Sequence, residues 1–267
     1  FPPFVYQVLL SAEGKQLGEV NAFLQQARKH PHMYQIIWES LYINPKLFAE
    51  YYRDLSQAHS DMVVFGADFR HYQKIHRDLI WANRFAASTS MGPSRLIYYL
   101  GGVDDWMGYI FNDTPMFDQS VPVDPTVNYG FQALATNMRG FTQNIRNGSN
   151  FALINSEIRL PVIRYIVGHP LKSAFLNSLQ IVGFGDIGMA WSGWNPWGNE
   201  NYWADKVYRN GPVVVTLDSM REPIVGGFGF GGRAQVLGYF IRADLAWGVD
   251  SGYLLEPIFY LSFSLDF

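Results

Sequence analysis

From Asp61 onward, apolar and polar residues alternate with a period of two, as expected of strands that carry one apolar face. In 237–249 the odd positions are Leu237, Tyr239, Ile241, Ala243, Leu245, Trp247 and Val249, while the even ones include Gly238, Arg242, Asp244 and Gly248. The last segment, 257–267, repeats the pattern, with Phe259, Leu261, Phe263, Leu265 and Phe267 opposite Tyr260, Ser262, Ser264 and Asp266. The same alternation puts Asp68 beside Arg70 in 62–73, groups Asn155, Glu157 and Arg159 in 150–160, and places Asp186 with Gln180 in 178–191. Adding 76–87, the least regular, together with 95–101 and 225–235, the pattern predicts about eight strands of roughly ten residues or more, longer than soluble strands usually are.

Residues 1–60 follow another period. Leu17, Val20, Leu24 and Ala27 recur at three- and four-residue spacing up to Pro31; Met33, Ile36, Ile37 and Leu41 follow, then a short run from Leu47 to Leu55. This spacing predicts two or three short amphipathic helices, a mainly helical segment or loop insertion ahead of a β domain over 61–267. Two long connections, about 103–148 and 191–222, separate the strands, and connections of such length are usually functional or exposed.

Composition narrows the class. Charged residues make up 16% of the 267, where a soluble domain carries roughly 25%. The mean hydropathy is nevertheless only −0.04, so the apolar residues are dispersed among polar ones. No run approaches the ~18 apolar residues of a spanning helix, which leaves a sandwich or a membrane β-barrel. On the polar faces Ser, Gly, Tyr and paired charges stand where bulk solvent would favour long charged side chains, which suits a polar lumen. A net charge of −3 without a basic run gives no field for nucleic acid. With no cysteine, disulfide, thiolate and Cys-zinc chemistry are excluded. The start Phe1-Pro2-Pro3-Phe4 has no signal-peptide character, so the chain is expected to be mature or a piece of something longer.

Chemical motifs are few. Gly227–Gly232 formally satisfies GxGxxG, but an alternating strand follows where a nucleotide site needs a helix, so these glycines are read as points of close backbone approach. His30, His32, His59, His71, His76 and His169 form no metal-ligand spacing, and no GxSxG elbow occurs. The expectation is no metal, no cofactor and no enzyme activity.

Four segments in order carry a family resemblance: Asn137–Phe141 in the long connection, Asn155–Pro161 opening the next strand, Gly183–Gly188 in the one after, and the terminal Phe267. Gly66–Tyr72 and Tyr98–Gly102 fit the strands that precede them. Over residues 61–267 the chain resembles the C-terminal barrel half of the BamA/TamA/FhaC superfamily, the bacterial surface antigen family. The resemblance implies an all-β fold, a transmembrane antiparallel β-barrel of sixteen strands of which these are the C-terminal ones. It also implies an in-folding loop with the tip Arg139-Gly140-Phe141, Met138 standing where the family more often has Val, Ile or Leu. The tip arginine would reach the wall carboxylates Glu157 and Asp186. Phe259, Leu261, Phe263, Leu265 and Phe267 would form the terminal strand signal.

The function so implied is insertion or translocation of polypeptides at the outer membrane through a lateral seam, as an integral outer-membrane protein. Its partners would be outer-membrane lipids, client outer-membrane or secreted polypeptides and accessory assembly subunits. A passive or substrate-selective channel is the alternative, and an enzymatic β-protein a third reading.

Overall fold

The computed structural model describes residues 43–52, 61–107, 115–125, 127–167, 173–203, 206–210, 213–217, 221–236 and 239–264, and a compact unit runs from Asn44 to Phe267. The helices expected before residue 42 lie outside the described residues.

The period-two segments are strands. In chain order they are β1 (Ile43–Tyr52), β2 (Met62–His76), β3 (Leu79–Met91), β4 (Ser94–Leu100), β5 (Asn128–Leu134), β6 (Arg146–Gly148), β7 (Asn150–Pro161), β8 (Gln180–Trp191), β9 (Lys206–Asn210), β10 (Val213–Leu217), β11 (Val225–Val236), β12 (Tyr239–Asp250), β13 (Tyr253–Leu254) and β14 (Ile258–Ser264). Two short helices, α1 (Val162–Val167) and α2 (Ala174–Ser178), link β7 to β8. The main sheet has nine strands in the order β1-β2-β3-β7-β8-β11-β12, with β13 and β14 both pairing β12. Within this sheet every pairing from β2 to β14 is antiparallel.

The connection between β4 and β7 folds back onto one face of this sheet. There β4 forms a small second sheet, parallel to β5 and antiparallel to β6. Between the layers Tyr98, Leu100, Met138, Phe141 and Ile145 pack on Phe151, Leu153, Ala190 and Val225. Beside them Val103 and Trp106 pack on Val182, Phe184, Ala246 and Tyr260. Burying such side chains contributes about 1.5–3 kcal/mol each, which fixes the connection as a layer of the fold rather than a surface loop. Among the described residues no second layer covers the opposite face of the sheet: Phe65, Phe85, Ile154, Ile187, Phe228 and Phe230 are all exposed.

Three expectations are corrected here. Ile43–Tyr52 is a strand, not part of a helix. Leu47 and Tyr51 satisfy a helical spacing, but the edge of β2 offers a ladder, and the Phe48 ring lies where a Cβ on Gly66 would stand. Segment 95–101 is not a wall strand, because β4 leaves the main sheet and joins the covering layer.

The third correction concerns the closed transmembrane barrel. The described sheet is open, ending at β1 on one side and β14 on the other, with no pairing between them among the described residues. Open edges leave rows of N–H and C=O groups that hydrocarbon cannot satisfy, so such a sheet does not by itself span lipid. No helix among the described residues is long and apolar enough to cross a membrane. The expectations of a transmembrane β-barrel and of an integral outer-membrane location are overturned by this open sheet.

Candidate functional site, an arginine clamp between the layers

The covering layer touches the sheet most closely at Arg139-Gly140-Phe141. Arg139 is 2% exposed and spends its fork on two strands. Its Nε and Nη2 donate to Asp186 Oδ2 and Oδ1 of β8, both at 2.7 Å, and Nη1 donates to Glu157 Oε1 of β7 at 2.7 Å. Its backbone N–H also donates to Asp186 at 3.2 Å, and the guanidinium lies 3.6 Å from the centre of the Phe184 ring. A bidentate carboxylate, a second carboxylate and an aromatic face are the partners that a planar, delocalised cation uses best.

Local sequence explains the fit. Gly140 adopts φ +95°, which disfavours any side chain. A Cβ on Gly227 would strike the Arg139 carbonyl, and one on Gly248 would strike the Gly140 carbonyl. These glycines let the tip lie backbone to backbone on β11 and β12. Phe141 is buried in the core cluster. Tyr260 of β14 staples the turn, since its hydroxyl accepts from Gly140 N–H at 2.9 Å and donates to Phe141 C=O at 2.7 Å. Asn155 completes the clamp by donating to Asp186 Oδ1 at 2.7 Å and to Asn137 C=O at 3.0 Å.

The electrostatics follow from burial and pairing. Burial by itself would push the Arg139 guanidinium down, but Asp186, then Glu157 and Asp244, carry it well above its ordinary value. Burial would raise Glu157, yet Arg139, Arg233 and Arg159 hold it far below the usual carboxylate range. Burial raises the Tyr260 phenol, which stays protonated as the staple requires.

The structure therefore brings Arg139, Gly140, Phe141, Glu157 and Asp186 together. It does not bring the terminal-strand residues to them: Phe259, Leu261 and Phe263 alternate with the inward Tyr260 and Ser262, while Leu265 and Phe267 lie outside the described residues. Sequence reasoning grouped Arg159 with Glu157 but did not single out Arg233 or Arg146. Arg233 of β11 donates to Glu157 Oε1 at 2.7 Å, and Arg159 pairs with Glu157 at 2.8 Å. A second buried arginine, Arg146, pairs with Asp250 at 2.5 Å and donates to Glu222 C=O. The signal that could have found the staple is Tyr260, a large aromatic on the polar face of a terminal strand. Among the described residues no group of three or more His, Cys, Asp or Glu side chains could hold a metal ion.

No family model matches this chain and no curated protein matches it. With the open sheet, this overturns the assignment to the BamA/TamA/FhaC superfamily. The seam-gated translocation role and the channel alternative go with it, since both need a closed wall around a lumen. The Arg-Gly-Phe tip and its carboxylates are a layer-to-layer clamp that an open sheet accommodates equally well.

Proposed function

We propose that this chain is a non-catalytic scaffold whose bare sheet face and open edges bind polypeptide. The observation that supports the reading is the bare face. Outward positions on β7, β8, β11, β12 and β14 include Ile154, Ile158, Ile181, Ile187, Phe228, Phe230, Ile241, Leu245, Trp247, Phe259 and Phe263, with no charged residue among the outward positions. Its polar members bond to one another: Trp81 Nε1–H donates to Ser156 Oγ at 2.8 Å, and Ser156 donates to Asn83 Oδ1 at 2.9 Å. Monomers rarely leave contiguous apolar patches larger than a few hundred Å² against water.

The edges support the same reading. At β14, Met107 N–H donates to Leu261 C=O at 2.9 Å and Trp106 bridges to Ser262, so one strand-like contact is already made there by the covering layer. A partner strand would extend the ladder, and alternate apolar side chains would continue onto the bare face. Accessory subunits would be partners of this kind, and the binding needs no cofactor.

A second reading, acyl chains against the bare face, is favoured by the absence of charge on it. Photo-crosslinking residues placed at Phe230 on the face and Leu261 on the edge separate the two. Discrete polypeptide adducts, competed by a synthetic peptide of alternating apolar and polar residues, are the expected outcome. Adducts to lipid alone would overturn the polypeptide reading, and no adduct at either position would overturn both.

A further inference from the structure

The sheet places arginines directly opposite one another twice. In the β2–β3 ladder Arg70 faces Arg84, and in the β11–β12 ladder Arg233 faces Arg242. Like charges in this register repel unless something stands between them. Each pair also has an aspartate two positions along one of its strands, Asp68 before Arg70 and Asp244 after Arg242.

The two aspartates behave differently. Asp68 bridges its pair: Arg70 donates to Oδ1 and Oδ2 at 3.2 and 2.9 Å, and Arg84 donates to the same atoms at 3.1 and 2.8 Å. Asp244 makes no such bridge of hydrogen bonds, only longer ion-pair contacts. It is completely buried, its Oδ1 occupies the space a Cβ on Gly231 would need, and neither oxygen has a hydrogen-bond partner. It stands 3.8 Å from Arg242 Nε and 3.7 Å from Arg139 Nη1.

The second arginine pair is left with unused donors. Arg233 is 8% exposed and donates through Nη2 to Glu157, a carboxylate already shared with Arg139 and Arg159, while its Nε is buried without a partner. Arg242 donates from Nε to the Ser262 hydroxyl at 3.1 Å and reaches the Asp104 carbonyl at 3.5 Å. Both line a polar cavity of about 390 Å³ between sheet and covering layer, with Asp104 and Asp105 at its exposed rim. Among the described residues neither rim carboxylate pairs with Arg233 or Arg242.

From this contrast we infer that the cavity is a binding site for a small organic carboxylate, which bridges Arg233 and Arg242 as Asp68 bridges Arg70 and Arg84. The ligand carboxylate takes the position that Asp244 vacates by turning over Gly231. Two guanidinium forks on adjacent strands match a planar carboxylate better than a point charge would. The cavity has room for more than the carboxylate, so the rest of the ligand extends toward the rim. Burial lowers the Arg242 guanidinium below its ordinary value against the pull of Asp244, and Arg233 and Arg139 add to the lowering.

Calorimetric titration of the full chain with succinate and, separately, inorganic phosphate tests the assignment. Succinate binds the wild type, and Arg242→Gln weakens it at least about tenfold while the surface change Arg164→Gln leaves it unaltered. Should Arg242→Gln fold poorly, Arg242→Lys keeps the charge but loses the fork, and it weakens succinate too. No succinate binding up to about 10 mM would overturn the site, as would unchanged affinity in a folded Arg242 variant. Phosphate binding tighter than succinate would overturn the carboxylate class.

Discussion

Two arginine pairs on one sheet face share a register and a neighbouring aspartate, yet one is closed and the other open. Asp68 sits in a part-buried position with Arg70 42% exposed, and its carboxylate reaches both forks. Burial would raise Asp68, but hydrogen bonds from Arg70 and Arg84 hold it below its ordinary value. Asp244 lies deeper, beneath the clamp, where burial raises it against the pull of Arg139, Arg233 and Arg242. The difference teaches that sequence spacing sets who can meet on a strand face, while depth under the second layer decides whether they do.

The largest effect expected is from the clamp that creates that depth. Arg139→Met strands Asp186 as a buried carboxylate while Glu157 keeps Arg233 and Arg159, and urea unfolding should show a loss of about 3–5 kcal/mol. A loss below about 1 kcal/mol would place the clamp among ornamental ion pairs and remove the reason for Asp244 to differ from Asp68.

Next come the two aspartates themselves. Asp68→Asn breaks a bridge to two cations and is expected to cost about 1–2 kcal/mol after allowing for solvent around Arg70. Asp244→Asn removes a carboxylate with no hydrogen bond to lose, and should cost less than Asp68→Asn or stabilise. Equal losses in equilibrium unfolding would erase the contrast.

The smallest effect lies in acid. Asp68 and Glu157 are depressed in the fold, so the stability they contribute is present above their ordinary values of 3.8 and 4.5 and is lost as pH falls below them. Asp244 is raised, so the folded chain holds its proton longer than the unfolded one, and its contribution falls as pH rises above 3.8. Acid unfolding should therefore be shallower in Asp68→Asn and steeper in Asp244→Asn than in the wild type. The reverse order would contradict the environments assigned to both.

The strands were legible because a half-buried strand must alternate, and the alternation put Asp68, Glu157, Asp186 and Asp244 on one face without any tertiary information. The tip Arg139-Gly140-Phe141 was legible as a motif, and its glycine carries the positive φ a sharp turn needs. What failed was closure. A period of two says that one face is apolar and the other polar, and an open sheet under a covering layer meets that condition as well as a barrel wall does. The helical spacing of Leu47 and Tyr51 failed for a related reason, since a vacant sheet edge outweighs a weak local preference.

The sequence by itself determined the long strands β2, β3, β7, β8, β11, β12 and β14 and the two faces of each, because these depend on short-range geometry. Only the tertiary structure decided that the connection after β4 is a second layer, that Tyr260 staples its tip, and that the described sheet does not close on itself. It also decided which aspartate hydrogen-bonds its arginines and which does not. Those outcomes depend on burial and on pairing between residues far apart in the chain, where desolvation and hydrogen-bond geometry act and sequence spacing is blind.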